Sequence, residues 1–233
     1  MDHVSRHAKS AYHDYRHHVS VQLTPKSLKQ AAAELSAADE KLARVIGVVG
    51  PCTMLPRVEG SHFDHLTRNI VYQQLSGAAA GTIHGRFIER CGGGTPPTPE
   101  HLLTLDDATL RGCGLSAAKV AAIRDLALHV SDQRLPLDAF ETMDDAAIIG
   151  SLVAVRGIGV WTAQMFLMFR LGRPDVLPVL DLGVRKGAER IYRMRKLPDA
   201  ARLEKVAKVW RPWRSVASWY CWRVLDLENV GGW

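Results

Sequence analysis

Residues 152–187 of the chain read LVAVRGIGVWTAQMFLMFRLGRPDVLPVLDLGVRKG. An apolar run leads into a turn with Gly157 and Gly159, an apolar helical pattern follows from Trp161, and Asp181 stands between two leucines. A Gly-x-Gly turn between two helices brings backbone N–H groups close to a phosphate with no side chain in the way. A carboxylate downstream can stabilise a positive charge. The pattern indicates a protein that holds a DNA backbone and carries out chemistry beside it.

The composition fits a soluble intracellular protein with an anionic partner. The 233 residues are 47% hydrophobic, with a formal net charge of +6 and a pI of about 9.3. No apolar run approaches the roughly 20 residues of a membrane span, and no secretory signal is recognisable at the N-terminus. We therefore expect no membrane partner, and a cytoplasmic, nucleoid-associated location in a bacterium or a nuclear one in a eukaryote.

The cysteine pattern disfavours a metal centre. Four cysteines are spread through the sequence without any C-x2-C pair, which argues against a zinc site, an iron–sulfur cluster or a disulfide framework. These residues are Cys52, Cys91, Cys113 and Cys221. The spacing favours a reducing compartment.

The periodicity of apolar residues predicts an all-α fold in two helical lobes. One helical pattern spans residues 25–49, with a break and a new cap at 36–39. Another opens at Ser61 or His62, with one apolar face reaching Leu75 and a continuation to Phe87. Further helices are predicted at about 99–105, 106–112, 116–132, 144–154, 160–171, 182–190, 199–208 and 212–226, with cap candidates at Thr98, Asp106, Ser116 and Asp144. The N- and C-terminal helices can form one lobe and the middle helices the other.

The first 24 residues form a polar arm in this interpretation, and residues 25–233 form the core. Five of the ten histidines lie in the arm, and two pairs have i, i+4 spacing that binds metal when helical. These histidines are His3, His7, His13, His17 and His18. A solvated or frayed arm is the favoured interpretation.

The central motif resembles the helix-hairpin-helix of the HhH-GPD superfamily of DNA glycosylases. The segment LVAVRGIGVWTA resembles the hairpin, at about 146–171 with its helices, and Pro178-Val179-Leu180-Asp181 resembles the segment with the catalytic aspartate. Residues 70–76, with the Ala-rich helix that follows them, resemble the lesion-side helix of the family, and residues 114–119 resemble a second DNA-facing turn. Residues 210–215, with Trp222 beyond them, are similar to the C-terminal signature of the 3-methyladenine DNA glycosylase II (AlkA-type) group. The chain resembles a compact form, because too few residues precede the first helix for the N-terminal β domain of larger members.

The resemblance implies that Asp181 is catalytic. Hydrolysis of an N-glycosidic bond builds positive charge on the deoxyribose, which a preorganised carboxylate stabilises while it orients water. Asp181 is also a candidate N-cap of the following helix, and the two roles are compatible because a helix N-terminus favours negative charge. Asp175 is a rival carboxylate, which we interpret as structural because it lies in a Gly-Arg-Pro-Asp turn.

The tryptophans carry the expected base recognition. Trp161 stands where members that also nick the strand have a Schiff-base lysine, which implies a monofunctional enzyme. Trp161 and Trp222 match aromatic positions of the base pocket, where an indole face attracts a cationic alkylated purine. Met165 departs from the tyrosine of some relatives. Trp210 and Trp213 are expected in the core.

The flipped base must be replaced in the stack. The resemblance assigns that intercalating role to Gln74, with Leu75 as the rival one residue on.

The remaining expected contacts are with the DNA backbone and a cation. The expected DNA-binding residues are Gly157, Gly159, Thr162, Ser116, Lys119 and Arg214. Lys119 and Lys186 are interpreted as phosphate or surface lysines. The resemblance also implies a structural Na⁺ or K⁺ held by the main-chain carbonyls of Val153, Val155 and Ile158, with no cofactor for catalysis.

The expected function is a monofunctional glycosylase that excises alkylated purines from double-stranded DNA as a monomer. The chief expected substrate is 3-methyladenine, with 7-methylguanine as a further candidate. One alternative is the same fold acting on ethenoadenine or deaminated bases. Another is a non-catalytic damage-binding protein, which would have no need of Asp181 beside phosphates.

Overall fold

The computed structural model describes residues 22–227, and within that range it contains helices and no β-strand, as an all-α fold predicts. The α-helices are α1 Pro25–Ala38, α2 Glu40–Val49, α3 His62–Tyr72, α4 Gly77–Gly92, α5 Pro99–Thr104, α6 Asp107–Gly112, α7 Ala117–Ser131, α8 Asp145–Val153, α9 Val160–Phe169, α10 Leu182–Ile191, α11 Ala200–Val206 and α12 Arg214–Asp226. Short 3₁₀ turns lie at Leu137–Ala139 and Ala207–Trp210. None of these helices is long and apolar enough to cross a membrane.

Helix starts follow the cap residues that the sequence predicts. The side chains of Thr98, Asp106, Ser116 and Asp144 each accept a hydrogen bond from the backbone N–H three residues on. Asp39 caps α2 at the predicted break, and Ser61 opens α3 with a capping box. A side-chain oxygen at this position satisfies an N–H group that the helix itself leaves unpaired.

The described chain divides into two compact units. We call residues 58–166 the hairpin unit, and residues 22–57 with 167–227 the aspartate unit. The hairpin unit is built on fully buried apolar side chains from several helices, namely Leu66, Ile70, Phe87, Leu102, Ile123, Phe140 and Phe166. The rings of Phe140 and Phe166 meet edge to face at 5.8 Å, an arrangement that aromatic pairs prefer.

The aspartate unit depends on a close crossing of α10 and α12. A Cβ on Gly187 would stand 2.1 Å from the carbonyl oxygen of Cys221, so only glycine allows the two backbones to approach this far. Trp210 is fully buried and donates from Nε1 to the hydroxyl of Tyr192 at 2.9 Å. Trp213 is also buried and donates to Glu34. Both tryptophans therefore belong to the core, as expected.

The N-terminal boundary of the aspartate unit differs from the predicted arm of residues 1–24. Residues 1–21, with the five histidines, lie outside the described residues. Leu23 is buried and donates its N–H to the carbonyl of Gly172 at 2.8 Å, and Thr24 caps α1. The core therefore begins earlier than predicted, because an apolar side chain precedes the cap.

Arg214 is not a DNA contact, and that part of the sequence prediction is wrong. Its side chain is 4% exposed, and its Nε and Nη2 donate to the two carboxylate oxygens of Asp175 at 2.7 and 3.0 Å. Arg211 adds an ion pair to Asp175 at 3.1 Å. A guanidinium buried in a two-pronged pair is not available to phosphate. Asp175 is structural, as interpreted from the sequence.

Replacing Arg214 by alanine should destabilise the protein by about 3 kcal/mol, because the buried charge of Asp175 would lose its two-pronged partner and keep the weaker pair with Arg211. Urea unfolding measures the loss. Arg223→Ala is the matched control on the same helix, since its pair with Asp226 is exposed and should be worth less than about 1 kcal/mol. Equal losses in the two variants would contradict this account of Arg214.

Candidate active site and nucleic-acid interface

Asp181 is held by two hydrogen bonds at the N-terminus of α10. Its Oδ1 accepts from the backbone N–H of Val184 and from the indole Nε1 of Trp222, both at 2.8 Å. The side chain is therefore the predicted N-cap and also the acceptor for a ring on α12. Two donors on one oxygen fix the plane of the carboxylate, and the helix N-terminus favours its negative charge.

Gly183 makes the Trp222 contact possible and escaped the sequence prediction. A Cβ at Gly183 would lie 2.7 Å from Cδ1 of Trp222 and 3.1 Å from Oδ1 of Asp181. The indole also stacks on Phe169, with ring centroids 5.8 Å apart and planes at 24°. Trp222 is thus held by its stacking on Phe169 and by its hydrogen bond to Asp181, which it positions directly. Its expected contact with the target base stays a prediction.

Cys221 lies on the same helix as Trp222 and is fully buried. Burial raises the pKa of its thiol, and the nearby carboxylates of Asp181 and Asp39 raise that pKa further. The thiol therefore stays protonated, and it is not a nucleophile.

The hairpin between α8 and α9 is a tight turn fixed by hydrogen bonds within the hairpin unit. Gly157 has a φ of +79°, and a Cβ there would stand 3.0 Å from the Cβ of Ala122. The N–H of Arg156 donates to Asp125 at 2.7 Å, and the N–H of Ile158 donates to the Val155 carbonyl at 3.1 Å. Asp125, on α7, is therefore a positioning residue that the hairpin motif alone does not reveal.

Gly159 differs from Gly157 because the fold does not require it. The φ of Gly159 lies outside the left-handed region. Apart from its two chain neighbours, no atom of the described residues lies within 4 Å of where its Cβ would stand. Gly159 is exposed and immediately precedes α9, whose first N–H groups have no partner within the helix. A glycine that packing does not need, at an exposed helix N-terminus, fits the close approach of a ligand from outside.

The helix predicted to continue through Leu75 ends at Tyr72, which corrects the sequence interpretation. Gln74 has a φ of +57°, outside the helical region, and a new helix begins at Gly77 after the cap Ser76. The apolar periodicity continues across the break, so it conceals the turn. Gln74 and Leu75, the two candidates for intercalation, are both exposed on this turn.

Two side chains brace this turn. Nε2 of Gln73 donates to the carbonyl of Gly157 at 2.9 Å, which joins the turn to the hairpin. Nζ of Lys119 donates to the carbonyl of Val71 at 2.8 Å, in the last turn of α3. Partial burial lowers the pKa of Lys119. Lys119 is therefore bonded within the protein through one of its three N–H groups, and its expected DNA contact stays a prediction.

A cavity of about 470 Å³ opens beside the turn and the hairpin. Trp161 is 47% exposed at this cavity, whereas Thr162 is buried in its wall. The lining residues are Asn69, Tyr72, Gln73, Gln74, Gly157, Trp161, Thr162 and Met165. The side chain of Thr162 is thus a wall residue of this cavity, and its expected DNA contact stays a prediction. Ser116 is exposed and caps α7, so its expected DNA contact stays a prediction.

Comparison with known proteins identifies the family. The model of HhH-GPD superfamily base excision DNA repair proteins matches residues 67–212, which include the hairpin, the cavity and Asp181. The chain belongs to the HhH-GPD superfamily. Among curated relatives, the alkylbase DNA glycosidase-like protein mag2 of Schizosaccharomyces pombe is 31% identical, over 87% of this chain and 96% of the relative. DNA-3-methyladenine glycosylase 1 of the same yeast is 33% identical, over 87% and 90%.

Two solved structures are also similar to this chain. A DNA-3-methyladenine glycosidase from Bacillus halodurans is 36% identical, with a TM-score of 0.77 over 84% of this chain and 89% of that one. The 3-methyladenine DNA glycosylase Mag1 of S. pombe, in complex with abasic DNA, is 32% identical. Its TM-score is 0.74 over 85% and 97% of the two chains. Both likenesses extend over most of the two chains compared.

Gly183→Ala should break the Trp222–Asp181 hydrogen bond of this HhH-GPD site, because the added methyl group would overlap the indole. Overpacking of this kind costs about 1–3 kcal/mol. The indole N–H signal of Trp222 in ¹⁵N NMR should shift, and the free energy of unfolding should fall. Gly150→Ala, with nothing within 4 Å of its Cβ on α8, is the control and should be neutral or stabilising. An unshifted indole signal in Gly183→Ala would contradict the assignment.

Proposed function

We propose that this HhH-GPD protein is a monofunctional DNA glycosylase that excises alkylated purines from duplex DNA. The observation that carries the proposal is the Asp181 carboxylate, anchored by Val184 and Trp222 at a helix N-terminus. The names of the relatives support 3-methyladenine as substrate, with 7-methylguanine as a further candidate. Double-stranded DNA is the proposed partner of a monomeric enzyme.

Asp181 would act on the deoxyribose of the flipped nucleotide. When the bond between C1′ and the base nitrogen breaks, its electrons leave with the base and positive charge develops on the sugar. A carboxylate held in place before the reaction stabilises that charge without reorganisation. Water then adds its oxygen to C1′ and releases a proton, with the carboxylate as the orienting group.

Alkylation itself makes the leaving group better. A ring nitrogen that carries a methyl group gives the purine a positive charge, which the departing electron pair neutralises. The exposed face of Trp161 at the hairpin-unit cavity can attract such a cationic base before it leaves. Met165 in the same wall offers a flexible apolar contact, which suits a modest range of purines.

The proposed absence of strand cleavage is supported by the chemistry of position 161. An AP-lyase step requires an amine that forms an imine with C1′, and the indole of Trp161 offers none. Lys119, the lysine bonded to the α3 carbonyl, serves the turn instead. Water is therefore the proposed nucleophile.

The hairpin is proposed to hold the phosphate backbone. Exposed Gly157 and Gly159 and the first amides of α9 offer donors to a phosphate. Gln74, exposed and already in the left-handed region, is the proposed wedge that fills the gap left by the flipped base.

The carbonyls of Val153, Val155 and Ile158 remain the proposed ligands of a monovalent cation. The three lie within one short turn, and carbonyl oxygens are hard donors of the class that alkali cations take. The Val155 carbonyl accepts one hydrogen bond from Ile158 and has a second lone pair. The residues therefore fit such an ion, which would fix the hairpin; no cofactor is proposed for the chemistry.

Asp181→Asn should lose base release from methylated duplex DNA by at least about 10²-fold while duplex binding persists. The asparagine oxygen can still accept from Val184 and Trp222, so the site should stay folded. Released 3-methyladenine is measured by chromatography, and heat–alkali treatment then reveals abasic sites in the product. Strand breaks before alkali would contradict the monofunctional assignment, and normal release by Asp181→Asn would contradict the role of the carboxylate.

Gly159→Ala should weaken duplex binding without loss of stability, because its Cβ meets nothing in the protein but would stand between the hairpin and a phosphate. Gly157→Ala is the contrasting variant: its φ of +79° should cost about 1 kcal/mol or more of folding free energy. Fluorescence anisotropy with labelled duplex and urea unfolding separate the two effects. Undiminished duplex affinity in Gly159→Ala would argue against phosphate binding at the hairpin.

A further inference from the structure

A short segment of the aspartate unit has the same net formal charge as the whole chain. Between Arg185 and Lys208 the sequence has nine lysines and arginines and three acidic residues, a formal charge of +6, which equals the net charge of all 233 residues. Several of these cations are exposed, namely Lys186, Arg193, Arg195, Lys196, Arg202, Lys205 and Lys208. The rest of the chain has as many acidic as basic residues, so the net positive charge of the sequence is concentrated in this segment, where it favours an anionic partner.

Part of this segment forms one wall of a pocket at the C-terminal end of α10. The pocket has a volume of about 240 Å³ and is lined by Lys41, Arg44, Val45, Arg190, Ile191, Arg193 and Val224. Four of these residues are cationic and none is acidic. We call it the basic pocket. Asp181 caps the opposite end of the same helix, about 15 Å away at 1.5 Å of rise per residue.

The charges around the basic pocket leave it positive. Arg44 pairs with Glu40 on its own helix, in an exposed i, i+4 pair, and Arg223 pairs with Asp226. Asp39 accepts from the hydroxyl of Tyr192, and Arg190 donates through Nη2 to the carbonyl of Leu227. The acceptor is a neutral carbonyl, so this bond occupies one guanidinium nitrogen of Arg190 and does not neutralise its positive charge.

Arg193 occupies a backbone conformation that favours glycine. Its φ is +50°, in the turn that closes α10 through hydrogen bonds from Met194 N–H to Glu189 and from Arg193 N–H to Arg190. Helices commonly end in such a turn with glycine, because a Cβ is strained there. The fold would therefore be served better by glycine. A strained arginine at the mouth of a cationic pocket points to a role for its side chain.

We propose that the basic pocket is a second phosphate-binding site, which holds the backbone of nucleic acid apart from the catalytic end of α10. Guanidinium groups match phosphate oxygens in pairs, and three of the four cations are arginines. The exposed cations that follow, such as Arg195 and Lys196, suit a polymer of phosphates better than a single small anion. The inference rests on the proposed function only in taking DNA as the polyanion.

Arg193→Gly separates this role from a structural one. The variant should melt at the same or a higher temperature, because the strain is relieved. Its affinity for an undamaged 40-base-pair duplex should fall about 3- to 10-fold at moderate salt, and the slope of log K against log salt should shrink by about 1. Lys41→Gln should add a further loss of affinity. Unchanged affinity and slope in both variants would overturn the proposal.

Two control variants guard the interpretation. Gln133→Gly relieves a similar backbone conformation, φ +58°, in the hairpin unit without removing a charge. Lys29→Ala removes an exposed cation of α1 that does not line the pocket. Neither should change duplex affinity by more than 2-fold. If Lys29→Ala lost as much duplex affinity as Arg193→Gly, the effect would come from the overall charge of the protein, and the proposal of a localised site would be overturned.

Two further measurements complete the test: melting in the presence of inorganic phosphate, and base release from methylated duplex DNA. If phosphate raised the melting temperature of the wild type but not of Arg193→Gly, and duplex affinity were equal in both, the pocket would serve a small anion and the nucleic-acid proposal would fail. Base release from a methylated duplex at saturating enzyme should be unchanged in Arg193→Gly. Absence of release in the wild type would instead count against the proposed glycosylase function and leave the duplex-binding result standing.

Discussion

The two hydrogen bonds on Oδ1 of Asp181 are the constraint on which the candidate site depends. They require the backbone N–H of Val184, in the first turn of α10, and the indole N–H of Trp222 to lie within hydrogen-bond distance of the same oxygen. They also require that α10 and α12 cross with backbones in contact, which Gly187 allows, and that no side chain stand between them, which Gly183 ensures. Two glycines without any polar side chain thus determine where the Asp181 carboxylate points.

The sequence was informative wherever one side chain carries the whole signal. Caps such as Asp144 and Ser116 satisfy helix amides by themselves, so their positions predict the helix starts closely. Asp181 is the same case, and its capping role is confirmed, while its catalytic role is a proposal. The burial of Trp210 and Trp213 also followed from residue type alone.

The failures concern side chains whose partners lie far away in sequence. Arg214 looks like a phosphate ligand until Asp175, 39 residues earlier, is found within its reach. The bond from Lys119 to a carbonyl 48 residues before it was not visible in the sequence either, although its expected DNA contact stays a prediction. The break after Tyr72 was missed because Leu75 continues the apolar spacing of α3, although its side chain is exposed on the turn. Charge and periodicity do not encode such long-range pairings.

The hydrogen bond from Gln73 to the Gly157 carbonyl has a consequence for the proposed way in which the protein would bind DNA. The turn that carries Gln74 and the hairpin are joined side chain to backbone within one unit, so they should move as one body. A hairpin that settles on a phosphate would then bring Gln74 to the base stack in the same event. Binding to the backbone and insertion of Gln74 beside a base pair would become a single step. The rate of that step would depend on how often the protein associates with DNA and not on a separate conformational change.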